Sequence, residues 1–220
     1  GITMNRRTKE LLAENNALER GLNEENGKIL TDIVVYLRTA PVSEYQQELV
    51  RRDITHMMLD GQARGASMQE VLGDDYQAFC DQVLDALPPM SMLSRVLSAA
   101  GNLCYYLAIL AAIWLAFELA PNLLVRAGLY VRITVGDVLG GAAIVAAASL
   151  IVFWICRFSF QEDGPRLKIL VGSTLLLCFA CLVASFFLQI VLFELHALVV
   201  LVGILLLFGL HKLLEETVPA

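Results

Sequence analysis

ILVGSTLLLCFACLVASFFLQIVLFELHALVVLVGILLLFGL, Ile169 to Leu210, runs for about forty residues with only Gln189, Glu194 and His196 as marked polar breaks. A helix needs about twenty apolar residues to cross the hydrocarbon of a bilayer. The stretch is therefore twice one span. It reads as two helices joined by a tight turn near Gln189 to His196. Upstream, Leu97 to Ala120 supplies another span, stopped by Pro121, and Gly136 to Cys156 a further one, ended by Arg157. The expected fold is all-α: a soluble helical domain over residues 1–90, then a four-span bundle over 91–216, with spans at about 97–120, 136–156, 169–189 and 194–211.

Composition agrees. Of the 220 residues, 57% are apolar, and the mean hydropathy of +0.65 lies far above that of an ordinary soluble domain. The net charge is −6, with the acids gathered in the N-terminal region. A nucleic-acid surface needs a basic stripe to neutralise phosphates. Arg6, Arg7 and Lys9 beside several acids do not make one, which argues against direct nucleic-acid binding.

Positive charge sets the expected topology, because short cytoplasmic loops collect Lys and Arg. With four spans, Arg95, Arg157, Arg166, Lys168 and Lys212 fall on one side and Arg126 and Arg132 on the other. Both termini are thus expected in the cytoplasm. The N-terminus lacks the apolar core of a cleavable signal peptide, so insertion is expected to rely on the first span.

Span two is rich in small residues, with Gly136-x-x-x-Gly140 followed by Gly141-Ala-Ala and Ala146-Ala-Ala-Ser149. Small side chains let helices approach closely in lipid. This either makes the helix central in the bundle or reflects alanine serving as one more apolar residue. Leu123 to Val135 alternates around Gly128, which suggests a short hairpin or an amphipathic surface piece.

Ionisable residues within spans mark functional sites by default. Glu118, Asp137, Glu194 and His196 all map near the outer span ends and are the candidate ion or proton site. Each also has a local explanation: Asp137 starts a helix, Glu118 precedes Pro121, and the other two sit in the expected turn. Five cysteines, four of them inside apolar runs, do not form the disulfide framework of a secreted domain. Cys178-x-x-Cys181 has redox or zinc spacing, but on a lipid-embedded helix two thiols three apart share a face and pack as small apolar groups. His56 has no second ligand nearby. No cofactor or metal motif is present in the sequence.

In the soluble part, Leu11, Asn15, Leu18 and Leu22 recur at coiled-coil spacing, with Asn15 in the seam. A buried Asn there can fix register between chains, so the four residues are a candidate partner or self-association face. The alternative is one helix face of the domain's own core. Gly21 and Gly27 are possible breaks. Ser43 is placed as an N-cap of a helix that closes near Gly61. Ser67-x-x-Glu70 is a capping box before a one-turn helix ending at Gly73. Asp74 or Asp75 then caps a helix with Tyr76, Phe79, Val83, Leu84 and Leu87 on its apolar face, Cys80 beside them, and Asp81 and Asp85 on the wet side. Pro88-Pro89 ends it.

Asn15-Asn16-Ala-Leu-Glu19, Asp32-Ile-Val-Val-Tyr-Leu-Arg38, Gly61-Gln-Ala-Arg64-Gly65, Gly73-Asp74-Asp-Tyr76, Phe79-Cys-Asp and Leu87-Pro-Pro together resemble the HTH-associated alpha-helical signalling (HAAS) domain, over about residues 5 to 90. The resemblance implies a bacterial inner-membrane protein, commonly encoded beside a PadR-like transcription regulator, with its small helical domain in the cytoplasm. It brings no catalytic residues. The functional expectation is a non-enzymatic signalling or interaction protein whose helical domain binds a regulator or a second copy. The alternative is a small transporter, channel or accessory subunit of an export system.

Overall fold

The computed structural model describes residues 6–125, 128–160 and 164–217. Asn5, the expected start of the first helical run, and Arg126, one of the two charges counted on the opposite side, lie outside them. The chain divides into two compact units: Gly1–Arg95 with Phe153–Leu167 and the last residues, and Val96–Val152 with Lys168–Thr217.

The first unit contains five helices, α1 (Arg6–Leu18), α2 (Glu24–Leu37), α3 (Glu44–Ala63), α4 (Met68–Leu72) and α5 (Tyr76–Asp85). Each boundary has a local cause. A 3-10 turn at Glu19–Gly21 ends the first helical run, and Asn23 restarts it by accepting from the Asn26 N–H, so the break falls at Gly21 while Gly27 stays helical. The side chains of Ser43, Ser67 and Asp75 each accept from the backbone N–H three residues on, satisfying a donor that a helix start leaves free. The Ser67–Glu70 capping box is complete in both directions.

Two helix ends need glycine, because Gly65 and Gly73 have φ of +72° and +94°, where a Cβ is disfavoured. Apolar spacing then turns one face of each helix inward. Leu30, Ile33, Tyr36, Leu37, Val50, Ile54, Met58, Met68, Leu72 and Cys80 make one core, with Phe160 from the α7–α8 connection packed against it.

The second unit holds most of four apolar helices: α6 (Met92–Leu124), α7 (Val135–Arg157), α8 (Pro165–Phe186) and α9 (Ala197–Thr217). All four are long and apolar enough to cross a membrane. The shortest, at 21 residues, spans about 32 Å against a hydrocarbon core of about 30 Å. By length and composition this is a multi-pass membrane protein.

Three expectations need correction. Pro121 does not stop span one: it lies inside α6, which continues to Leu124. A proline forfeits its own bond to the preceding turn but does not prevent the turn that follows, and the Val125 N–H bonds the Pro121 carbonyl at 3.1 Å.

The second correction concerns Gln189 to His196, which is not a tight turn. Val191–His196 is a strand, β2, that pairs antiparallel with β1 (Tyr130–Thr134), and Arg132 faces Glu194 across it. Span three therefore ends at Phe186 and span four begins at Ala197.

The third follows from the second. Leu123 to Val135 is not a hairpin folded on itself, because its alternating residues pair with this distant strand. The ribbon is stitched at both ends by Ala197 N–H to Leu129 O at 2.7 Å and Val135 N–H to Ile190 O at 2.9 Å.

Within this unit Ala108 and Leu115 of α6 share a core with Val131, Ala197 and Ile204. His211 Nδ1 lies 3.0 Å from the Gly101 carbonyl. On α7, Gly136 and Gly140 face α8. A Cβ on Gly136 would run into the Ser185 carbonyl oxygen, and one on Gly140 would meet Ser185 Oγ at 3.2 Å. The small-residue motif thus lets two helices touch.

Candidate functional site

The first unit's distinctive site grows from the last turn of α2. Tyr36 sits there because the α2 apolar stripe (Leu30, Ile33, Leu37) turns its ring inward, leaving it 1% exposed. Thr39 Oγ1 closes the turn by donating to the Tyr36 carbonyl at 2.8 Å. A phenol buried this way must find partners for its hydroxyl. It donates to Asp81 Oδ1 of α5 at 2.8 Å and accepts from Arg157 Nη1, at the end of α7, also at 2.8 Å.

The Arg157 guanidinium lies 5.7 Å from the Tyr36 ring centroid and the Phe160 ring 5.2 Å from it. Ser159 Oγ adds a bond to the Asp32 carbonyl at 3.2 Å. The last residue of α7 and two residues of the α7–α8 connection therefore bond to α2 by a charge-assisted hydrogen bond, a ring contact and a backbone contact. Burial, then the hydrogen bond donated to Asp81, raises the Tyr36 phenol above its ordinary value, while Arg157 opposes the shift. The phenol is neutral at physiological pH and bridges the Asp81 carboxylate and the Arg157 guanidinium.

Beside this bridge opens a cleft of about 580 Å³, lined by Val42, Leu84 and Leu87 among apolar groups and by Asp81, Asp85 and Arg157 among charged ones. Its rim is fixed where Met90 N–H bonds the Pro41 carbonyl at 2.9 Å. Cys80, next to Asp81, is fully buried, and burial with the Asp81 charge pushes its thiol up to about 12. Such a thiol holds almost no thiolate at neutral pH and is a packing residue.

A second polar feature joins α1 to α3. Asn15 Nδ2 donates to the Glu48 carbonyl and to Glu48 Oε2, both at 2.8 Å. Arg51 pairs with Glu19, with Glu48 at 3.1 Å, and donates to Asn16 Oδ1 at 2.9 Å. Buried charges persist only when paired in this way.

The candidate association face is thereby placed. Leu11 (6% exposed) and Asn15 (0%) are buried against the chain's own α3, while Leu18 and Leu22 are half-buried. The four do not form an open seam.

The residues carrying the family resemblance occupy turns and packing positions. Gly61 is buried, and a Cβ there would run into Val71 Cγ2. Arg64 caps α3 and donates to the Asp60 carbonyl at 3.2 Å. Gly65 and Gly73 take the left-handed turns described above. Asp74 is exposed, the capping being done by Asp75. Tyr76 and Phe79 pack on the core.

In the second unit, Asp137 is engaged by the start of its own helix, accepting from Thr134 N–H at 2.8 Å and Oγ1 at 2.9 Å. Glu118 lies within electrostatic range of Asp137. Glu194 faces Arg132 at 3.7 Å, and His196 stacks edge-on against Tyr130 at 5.3 Å while its Nδ1 accepts from Leu198 N–H. Of the four, Glu118 and Asp137 are thus brought near each other, while Glu194 and His196 each have their own partner across the ribbon. Cys178 Sγ lies 3.8 Å from the Ala143 carbonyl, Cys181 is exposed, and both are free thiols. Among the described residues no group of three His, Cys, Asp or Glu could hold a metal.

No family model, curated protein or solved structure matches this chain. The HAAS resemblance rests on the quoted residues alone.

The Tyr36–Asp81–Arg157 hydrogen-bonded bridge escaped the sequence reading. Asp81 read as a wet-face acid and Arg157 as a topology charge, since nothing local ties either to a tyrosine far away in the chain. The usable signal was Tyr36 itself, a phenol on an otherwise aliphatic buried stripe.

Proposed function

We propose that the chain is a bacterial inner-membrane signalling or interaction protein without catalytic activity, whose helical domain binds a PadR-like regulator or a second copy of itself. In this reading the helical domain and the C-terminus face the cytoplasm, as the distribution of Lys and Arg favours. The supporting observation is the grip of Arg157, Ser159 and Phe160 on the helical domain. Arg157 is the last residue of a span-length helix, so a shift of that helix end would reach Tyr36 and Asp81 directly. Coupling of that kind needs two states that differ in these contacts.

The experiment is co-purification of the full chain, in detergent or nanodiscs, with its candidate regulator, beside a measurement of its own oligomeric state. Association with the regulator or with itself supports the reading. A monomer that binds neither, under any lipid or ligand condition, overturns it. Reporter fusions at the N-terminus and after Lys212 test the orientation independently.

A further inference from the structure

We infer that the β1–β2 ribbon lies in the bilayer interface, with the face bearing Phe193 toward the acyl chains and the face bearing Arg132, Glu194 and His196 toward water. The register gives the two faces. Tyr130 pairs with His196 and Arg132 with Glu194, while Val131 pairs with Leu195 and Ile133 with Phe193. Side chains alternate along a strand, so the first set is polar and the second apolar. The edge-on Tyr130–His196 contact and the Arg132–Glu194 ion pair confirm that the polar set shares a side.

The apolar face is only half covered by the protein. Val131 is 1% exposed in the core with α6 and α9, yet Phe193 on the same face remains 61% exposed, and Ile190, the residue just before β2, is 64% exposed. Both strands run without a loop into span-length helices, Thr134 into α7 and His196 into α9. The exposed apolar side chains are therefore continuous in the chain with the lipid-facing helices, which identifies lipid as what covers them.

Depth follows from the backbone. A two-stranded ribbon has an outer N–H and C=O edge on each strand; on β1 the Tyr130 carbonyl accepts from Asn122 Nδ2 at 3.2 Å, and open sheet edges exposed to lipid do not occur in the hydrocarbon region. The ribbon must sit where water or headgroups reach those edges. Tyr130 at this level fits the aromatic belt found at membrane interfaces. Arg132 can extend its charged end to water from there.

The chain has two tryptophans, so a background of Trp114→Phe with Trp154→Phe allows single-tryptophan probes. Phe193→Trp, Ile190→Trp and, as a water-exposed control on α3, His56→Trp are reconstituted in phosphatidylcholine–phosphatidylglycerol vesicles. The expected result is blue-shifted emission for the two ribbon probes, with quenching stronger by lipids brominated high on the acyl chain than by lipids brominated low. The control should be red-shifted and quenched by aqueous iodide.

Ribbon probes that behave like the control place the ribbon in water and overturn the inference. Stronger quenching by the deep bromines, or blue emission quenched by neither lipid nor iodide, also overturns it; the latter means protein covers the face. Thermal unfolding checks each variant, and Ile190→Trp carries the test if Phe193→Trp does not fold.

Discussion

Arg157 donates a hydrogen bond to the hydroxyl of Tyr36 at 2.8 Å across 121 positions of sequence, and the same hydroxyl donates to Asp81. Tyr36→Phe removes it and leaves two partners that are both exposed and can turn to water. The expected cost is about 0.5–1.5 kcal/mol, read as a lower thermal midpoint. Arg157→Ala, at an exposed residue, should cost about 1 kcal/mol or less. In a double-mutant cycle the pair should be non-additive by about 1 kcal/mol. Additive effects would show that the contact carries no energy.

The α1–α3 network predicts an asymmetry. Arg51→Met alone leaves Glu48 and Glu19 without their cation, at a cost of about 3–5 kcal/mol. Adding Glu48→Leu should recover part of the loss, because an apolar pair has no charge to desolvate. Denaturant unfolding of the single and double variants measures both. A double variant worse than the sum of the singles contradicts this account of the network.

Cys80 makes stability fall at alkaline pH. Its folded thiol is raised from an ordinary 9.0 to about 12, so the stabilising contribution is whole below pH 9 and is lost as pH rises toward 12. Above pH 9 the unfolded chain releases the proton that the folded chain retains. Tyr36, raised from 10.0, adds a loss that begins above pH 10. Stability measured from pH 8 upward should fall less steeply in Cys80→Ala than in the parent. Native Cys80 should also resist alkylation at pH 8.

The α7–α8 contact makes two neighbouring glycines unequal. Gly136→Ala forces a methyl against the Ser185 carbonyl, whereas a Cβ on Gly141 meets nothing within 4 Å. Gly136→Ala should destabilise the detergent-solubilised protein by about 1–3 kcal/mol. Gly141→Ala should be neutral. Equal effects would mean that α7 and α8 are not in contact at Gly136.

Span number and most caps were legible in the sequence because their signals are local. Length and apolarity mark a span, and Ser43, Ser67 and Gly73 announce boundaries through their own backbone chemistry. The strand at Val191–His196 was hidden because Val, Leu, Phe and Leu between two apolar helices give no contrast in hydropathy, and its partner lies far upstream. Pro121 misled for the opposite reason: a proline removes one bond to the turn before it, yet the helix continues beyond it to Leu124. At the candidate site, Leu11 and Asn15 had the right spacing for either a seam or a core. Only the placement of Glu48 and Arg51 beside Asn15 distinguishes the two, and no local pattern encodes that.

The central claim, that the helical domain passes on the state of the membrane helices through the Arg157–Tyr36 contact, is tested most directly by regulator binding to the full chain in nanodiscs, with Tyr36→Phe measured alongside. The account predicts association with the candidate regulator and a changed affinity in Tyr36→Phe, with the helical content of the variant unchanged. Binding that is identical in parent and variant, or no binding at all together with a monomeric chain, would contradict it.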